Sequence, residues 1–285
     1  MKIEFGILTN KVDITNKLNN IEKIPSNCWE RCELFRVDPC PGKEKSIFIN
    51  NIEYKAGKEI DLKFIKQINI VYFIWINTKK QYNFIIDGQL DDLIKSNILD
   101  ISNFYIEICC EDIKLHDKIK ETIKNKLLNY DYHININSIN KYEYYGIKKI
   151  YDLALKEPDL IYLYFHSKGM TDFYDNINTR HKYEEYLTYN TVNNYKNVLN
   201  LFNYNTNITH TGFFPSNYEN FIWLNFFYAK GTYIVTCKNP IVTTDRYYYE
   251  KWCGTGKNCC VYNLYKNSLN IKYSIDQVGN ILNND

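Results

Sequence analysis

The feature that most constrains the fold is an unbroken apolar and aromatic run at residues 160–165, Leu-Ile-Tyr-Leu-Tyr-Phe. Pro158 lies just before this run, and the polar sequence His-Ser-Lys-Gly follows it directly at residues 166–169. The run has strand length and no helical spacing, which is typical of a strand covered on both faces in the middle of a parallel sheet. The pattern therefore predicts a central buried strand that ends abruptly in a polar turn.

The turn after this predicted strand carries four groups suited to binding a ligand, namely the side chains of His166, Ser167 and Lys168 and the permissive backbone of Gly169. In open α/β sheets, ligands bind at the carboxyl ends of the strands. The four residues are therefore candidates for a binding site. An ordinary polar turn explains the same spacing equally well.

The bulk composition narrows the class of protein. The 285 residues suit one sizeable domain with an extension, and the contents of 45% hydrophobic and 24% charged residues are ordinary for a globular protein. A net charge of +2 gives no electrostatic support for a nucleic-acid partner. The longest apolar stretches, at residues 70–76 and 221–229, are shorter than the roughly 20 residues that a membrane span needs. Without a signal-peptide core at the N-terminus, we expect a soluble, cytoplasmic protein with no membrane span.

Two regions of the chain differ in pattern. Residues 1–65 contain short alternating runs separated by Pro, Gly and Asn turns, which predicts a small β-rich accessory module. In residues 66–285, predicted strands and helices alternate, which predicts a doubly wound α/β domain. The strands are predicted at 70–76, 104–110, 133–139, 160–165 and 233–237, and the helices at 90–98, 113–128, 142–155, 182–202 and, as the last one, 245–252.

Several segments of the second region, in their order and spacing, match a known group. They are the helix at residues 89–99, the pair Tyr142-Glu143, the block at 162–169, a segment centred on Arg180, the blocks at 220–223 and 229–231, and the stretch at 246–252. The chain resembles GT-A-like glycosyltransferases of giant DNA viruses and bacterial polysaccharide gene clusters. This resemblance implies a Rossmann-like, mixed and mainly parallel sheet flanked by helices. It also implies a nucleotide-sugar donor, a glycan or glycoprotein acceptor and, for a viral protein, the host cytoplasm, with virion association left open.

The predicted donor site departs from the pattern of that group. GT-A enzymes usually end a central strand in Asp-x-Asp, which holds a divalent metal against the diphosphate, and the sequence has no such motif. Instead, the strand end carries His166, Ser167 and Lys168. Charge-assisted hydrogen bonds from His166 and Lys168 to a diphosphate are roughly twice as strong as neutral ones, and Gly169 lets the backbone approach. We therefore expect direct diphosphate contact and assign no metal ligand or cofactor, with Mn²⁺ or Mg²⁺ left open. The alternative role of His166 is to hold the loop through hydrogen bonds to the backbone.

Transfer with inversion requires a base that takes the proton of the acceptor hydroxyl. Asp245 and Glu250 are the candidates, and their spacing does not place them on one helical face, so we expect only one of them to act. The resemblance favours Glu250, because related enzymes carry an acidic base late in the chain. A surface carboxylate paired with Arg246 is the alternative role of Glu250.

Five further side chains complete the predicted site. Arg180 and Arg246 suit phosphate or carboxylate recognition because the guanidinium is a planar fork. Trp252 offers a stacking face to a sugar ring, and the resemblance places Asn220 and Trp223 in a substrate-binding block.

Two other classes of function compete with a glycosyltransferase. The first is a non-catalytic carbohydrate-binding or structural protein that kept the fold and lost Asp-x-Asp. The second is a different nucleotide-using enzyme such as a methyltransferase, which lacks support because no glycine-rich loop follows the predicted strand at residues 70–76.

Overall fold

The structure is a computed structural model that describes residues 3–18, 21–49, 52–62, 66–78, 82–167, 180, 182–245 and 247–284. The chain divides into two compact units, Met1–Gln67 and Ile68–Asp285.

The N-terminal unit is a small β-rich module with one helix. Its six strands are β1 (Ile3–Ile7), β2 (Asn10–Asp13), β3 (Lys23–Ile24), β4 (Ser46–Ile49), β5 (Ile52–Tyr54) and β6 (Ile60–Asp61). An antiparallel sheet has the order β2-β1-β4-β5, and β3 pairs with β6. Helix α1 (Cys28–Phe35), which the sequence pattern did not predict, begins where the Asn27 side chain accepts a hydrogen bond of 2.8 Å from the Trp29 amide.

The second unit contains a mixed, mainly parallel sheet of seven strands. The strands are β7 (Ile68–Trp75), β8 (Ser102–Cys109), β9 (Tyr132–Asn137), β10 (Ile161–His166), β11 (His210–Gly212), β12 (Phe227–Lys230) and β13 (Val261–Asn263). Their order is β13-β11-β12-β10-β7-β8-β9, and only β12 runs antiparallel to its neighbours. The residues of β10 before His166 are all buried, which confirms the predicted central strand.

Helices cover both faces of this sheet, as the alternating pattern predicts. They are α2 (Tyr82–Ser96), α3 (His116–Lys126), α4 (Tyr144–Lys156), α5 (Lys182–Asn193), α6 (Tyr195–Tyr204), α7 (Gly231–Ile234), α8 (Tyr247–Lys251) and α9 (Ile275–Asn284). Apolar side chains of α2, α3, α5, α6 and α9 form the core on one face, and those of α4, α7 and α8 form the core on the other. Within the described part of the chain, no helix combines the length and apolar character needed to cross a bilayer.

Three local predictions are wrong. The expected strand at 233–237 is instead helix α7 and a turn, because Gly231 packs against the chain before β10: a Cβ at Gly231 would lie 2.6 Å from the Pro158 carbonyl oxygen. The expected helix at 182–202 breaks at Asn194, where side-chain amides bond to carbonyls one turn earlier and compete with the helix. The helix predicted at residues 245–252 was expected to be the last one, but helix α8, which lies there, is followed by helix α9.

The order of the strands reverses between β7 and β10. From β7 the chain adds β8 and β9 on one side, and α4 then returns it to β10 on the other side of β7. In open α/β sheets the ligand crevice lies outside the carboxyl ends of the strands at such a reversal. The topology therefore directs attention to the ends of β7 and β10.

Candidate functional site

Ser167 joins the ends of the two central strands. Its amide donates to the Phe73 carbonyl at 2.9 Å, and its Oγ accepts a hydrogen bond of 3.0 Å from the Trp75 amide. Ser167 is only 6% exposed. The hydroxyl is thus engaged by the backbone of β7, which makes Ser167 a residue that holds the strand ends together.

The His166 ring is held in one orientation at the end of β10. Its Nε2 lies 3.0 Å from the Leu224 carbonyl oxygen, so Nε2 carries a hydrogen and donates it. Its Nδ1 faces the Glu143 carboxylate, 4.0 Å from Oε1. The ring also packs against Phe226, with 5.3 Å between the ring centroids. Both ring nitrogens therefore face oxygen acceptors of the protein.

Glu143, directly before α4, lies at the centre of this polar cluster. Its Oε2 accepts hydrogen bonds from the Tyr164 hydroxyl at 2.9 Å and from Asn225 Nδ2 at 2.6 Å. Its Oε1 accepts no hydrogen bond from the described part of the chain, and His166 is its neighbour there. Glu143 belongs to the pair Tyr142-Glu143 that carries part of the resemblance, but the sequence pattern assigned it no role of its own.

A strained turn brings Leu224 and Asn225 to this cluster. The short 3-10 turn Trp223–Asn225 holds Leu224 at φ 66° and Asn225 at φ 58°, in the left-handed region that a leucine rarely adopts. Such residues cost roughly 1–3 kcal/mol each and persist where the surrounding structure holds them. Asn225 is fully buried, and its Oδ1 has no donor among the residues that the structure describes.

Helix α8, which carries Glu250, packs against this turn. Asn225 Nδ2 lies 3.4 Å from the Tyr249 carbonyl oxygen, and Glu250 is half-buried on the same short helix. Asp245 is exposed, and its Oδ1 accepts a hydrogen bond of 3.0 Å from the Tyr247 amide, as a capping residue does. Glu250 therefore lies on an element joined to the cluster, whereas Asp245 stabilises the start of α8.

The predicted stacking face on Trp252 is wrong. Trp252 is 0% exposed, and its Nε1 donates to the Lys238 carbonyl at 2.7 Å. Its ring meets Tyr151 edge-on, with 6.2 Å between the centroids. An indole enclosed on all sides by the core has no face left for a sugar ring.

Asn220 precedes the strained turn and Trp223 is its first residue, and the polar atoms of both side chains are engaged by the protein. The Trp223 Nε1 donates to the Tyr273 carbonyl at 2.8 Å. The Asn220 carbonyl accepts a hydrogen bond of 2.6 Å from His210 Nε2, and its side chain accepts one from Lys272. Burial lowers the pKa of His210 to about 4, which keeps this imidazole neutral. These contacts shape the loop before β12.

Arg180 lies between two buried carboxylates. Its guanidinium forms a two-pronged pair with Glu184, with distances of 2.9 Å and 2.7 Å, and its Nη1 lies 2.9 Å from Asp92 Oδ2. Burial opposes the charge of Arg180, but its bonds and charge attraction to Glu184 and Asp92 prevail and raise its pKa. Burial raises the pKa of Glu184 and of Asp92 as well. The guanidinium is thus engaged in joining α2 to α5.

Gln89 connects this charged cluster to the end of β10. Its Nε2 donates to Thr188 Oγ1 at 2.9 Å and to the His166 carbonyl at 3.0 Å, and its Oε1 accepts from the Tyr72 hydroxyl. Thr188 in turn donates to Glu184 at 2.9 Å. The predicted site residues Arg180 and His166 are therefore linked through a buried network, although their side chains do not meet.

Three predicted site residues, Lys168, Gly169 and Arg246, lie outside the described residues, and so does the pairing of Arg246 with Glu250. Among the residues that are described, no three His, Cys, Asp or Glu side chains are close enough together to hold a metal ion. At the strand end itself, the Ser167 hydroxyl and His166 Nε2 are already engaged by the backbone. These two atoms are therefore not available as ligands to a metal ion.

The chain matches none of the models of known protein families, and it has no significant match among curated proteins. Its function is therefore inferred from the geometry of the chain and from the resemblance carried by its motifs.

Proposed function

We propose that the chain is a GT-A-like glycosyltransferase that moves a sugar from a nucleotide-sugar donor to a glycan or glycoprotein acceptor. The observation that carries the proposal is a polar cluster of Glu143, His166 and Asn225 at the carboxyl end of β10, next to the reversal of strand order. The mixed, mainly parallel sheet supports the resemblance as well, because GT-A-like proteins have a sheet of this kind.

The donor would bind outside the ends of β7 and β10. His166 was expected to contact the diphosphate, but its Nε2 already donates to the Leu224 carbonyl. The proposal therefore assigns His166 to the sugar side of the site and leaves the diphosphate to Lys168, a prediction that comes from the sequence. Glu250 remains the sequence-predicted base, on a helix that packs against the strained turn. No step is assigned to a metal ion.

A non-catalytic carbohydrate-binding protein is the second candidate. The observation that favours it is that the Ser167 hydroxyl and the His166 Nε2 are both bonded to backbone groups. A glycosyltransferase fold that has lost its activity would keep these backbone hydrogen bonds, because they hold the end of β10 to β7 and to the strained turn without a substrate.

Thermal-shift measurements with UDP-, GDP- and dTDP-sugars, each with and without Mn²⁺, test the proposal. A donor at a hundredfold excess over its Kd stabilises the folded state by about 2.7 kcal/mol, which corresponds to roughly 5–11 °C in Tm for a domain of this size. We expect a shift with one nucleotide class and its loss in Lys168→Ala. The matched control is Lys120→Ala, which removes an exposed lysine from α3.

The outcomes separate the two candidates. A nucleotide-dependent shift together with release of the nucleoside diphosphate supports the transferase. A shift with free glycans and none with any nucleotide-sugar favours the carbohydrate-binding protein. A donor shift that Lys168→Ala retains in full removes the proposed diphosphate contact.

A further inference from the structure

The gap between Glu143 and His166 offers one oxygen atom two polar atoms to contact. Glu143 Oε1 and His166 Nδ1 are 4.0 Å apart, which is too long for a hydrogen bond between them. An oxygen atom about 2 Å to one side of the line that joins them would lie about 2.8 Å from each, at ordinary hydrogen-bond distance. The side chains of Glu143 and His166 are 15% and 13% exposed, so neither is sealed in the core.

The chemistry of the two groups selects a hydroxyl. The Glu143 carboxylate only accepts hydrogen bonds, so an oxygen atom bound to Oε1 must carry a hydrogen, and a hydroxyl supplies it. The hydroxyl oxygen keeps its lone pairs for a hydrogen on His166 Nδ1 whenever that nitrogen carries one. A phosphate oxygen lacks the hydrogen that Glu143 requires, and it carries a charge of the same sign as the carboxylate.

The surroundings orient Glu143 for proton transfer. Tyr164 and Asn225 both donate to Oε2, which leaves Oε1 directed at the gap. Asn225 contacts Glu143 from the turn in which Leu224 and Asn225 adopt left-handed backbone angles. A strained turn therefore carries one of the two donors that hold the carboxylate, and strain of this kind is common at functional sites.

We propose that the acceptor sugar hydroxyl binds between Glu143 and His166, and that Glu143 is the catalytic base. The inference rests on the proposed glycosyltransferase function and deepens it. The hydroxyl oxygen bonds to the anomeric carbon of the donor sugar, and the bond from that carbon to the diphosphate oxygen breaks. The electron pair leaves with the diphosphate, and the hydroxyl proton moves to Glu143 Oε1.

A pair of matched variants tests this assignment. In Glu143→Gln, the amide oxygen still accepts from Tyr164 and Asn225, so the fold and the thermal shift by the donor should be retained. Loss of a general base lowers kcat by about 10²–10⁴-fold. Glu250→Gln tests the competing base and should lower kcat less than Glu143→Gln does. The control is Glu121→Gln, which changes an exposed carboxylate on α3 and should stay within about tenfold of the wild type. The assay follows release of nucleoside diphosphate from the donor that gives the thermal shift, with a panel of methyl glycosides as acceptors.

Each outcome bears on the inference. A loss of kcat in Glu143→Gln with an unchanged donor shift supports it, and so does the disappearance of the acidic limb of the pH–kcat profile in that variant. Wild-type turnover in Glu143→Gln, or the larger loss in Glu250→Gln, overturns it while the glycosyltransferase function stands. Absence of both donor shift and release in the wild type overturns the function and the inference together. If Glu143→Gln fails to fold, the pH–kcat profile of the wild type is the test. A wild-type profile in which kcat does not fall at low pH overturns the assignment of a carboxylate base.

Discussion

Replacement of Arg180 by methionine distinguishes a structural role for this arginine from the ligand contact that the sequence predicts. The guanidinium lies between Glu184, which is fully buried, and Asp92, which is nearly so. Arg180→Met keeps an unbranched side chain of adaptable shape and removes the charge. Two buried carboxylates then lose their cation.

The expected cost follows from that geometry. Removal of one partner from a buried ion pair costs about 3–5 kcal/mol, because the remaining charge is buried without compensation. For a domain of 150–250 residues, each kcal/mol lowers Tm by roughly 2–4 °C. The variant should therefore melt roughly 6–20 °C below the wild type.

The cost should depend on pH with a definite sign. Burial raises the pKa of Glu184 and of Asp92, so the folded state holds protons there more tightly than the unfolded state does. Without Arg180 this difference grows. The loss of stability is then largest at neutral pH, and it shrinks as the pH falls and the folded variant takes up protons at these carboxyl groups.

Urea unfolding of the wild type, Arg180→Met and Arg180→Met/Glu184→Gln, at about pH 7.5 and about pH 5, measures both effects. The double variant should regain part of the loss because it removes one uncompensated charge. A cost below about 1 kcal/mol at the higher pH, or the same cost at both, would refute the reasoning. A variant of unchanged stability that loses the donor-induced thermal shift would restore Arg180 as a ligand contact.

Three further predictions follow from single positions in the same unit. Gly88→Ala should lower the unfolding free energy by about 1–3 kcal/mol, because its Cβ would lie 2.3 Å from the Cδ of Arg180. The control Gly279→Ala, in a helix with open space around that position, should raise the unfolding free energy by roughly 0.5–1 kcal/mol. Asn225→Asp places a second carboxylate beside Glu143 and should abolish turnover and lower Tm, whereas Asn225→Gly keeps the backbone angle and should melt closer to the wild type. Burial lowers the pKa of His210 to about 4, so the unfolded state binds a proton there more tightly than the folded state does. The wild type should therefore lose about 2 kcal/mol of unfolding free energy between pH 7 and pH 5, and His210→Gln should not show this loss. Urea unfolding at the two pH values measures the difference, and equal losses in the two proteins would contradict the prediction.

Local patterns were sufficient to predict much of the large sheet. The run at residues 160–165 is apolar on both faces, so only a strand covered on both sides satisfies it, and β10 is that strand. The helices on both faces of its sheet follow from the alternation of strands and helices, whereas its position beside β7 was decided by the tertiary structure. The same local rules failed at residues 233–237, where strand-forming residues form a turn of helix because Gly231 packs closely on the preceding segment.

The roles of individual side chains were less predictable. Arg180 and Trp252 were assigned to ligands because guanidinium groups suit phosphates and indoles suit sugars. The same chemistry also satisfies a buried carboxylate and a backbone carbonyl, and those are the partners the fold supplies. The identity of a side chain restricts its partners to a class, and only burial determines which partner it meets.

What the sequence by itself determined is the order of strands and helices and the polar end of β10, because both depend on residues that are neighbours along the chain. The grouping of Glu143 with Asn225, 82 residues further on, was decided by the tertiary structure alone. No local preference places a leucine and an asparagine in left-handed conformations beside a carboxylate. Packing of α4, β10 and α8 around that turn supplies the energy that holds them there.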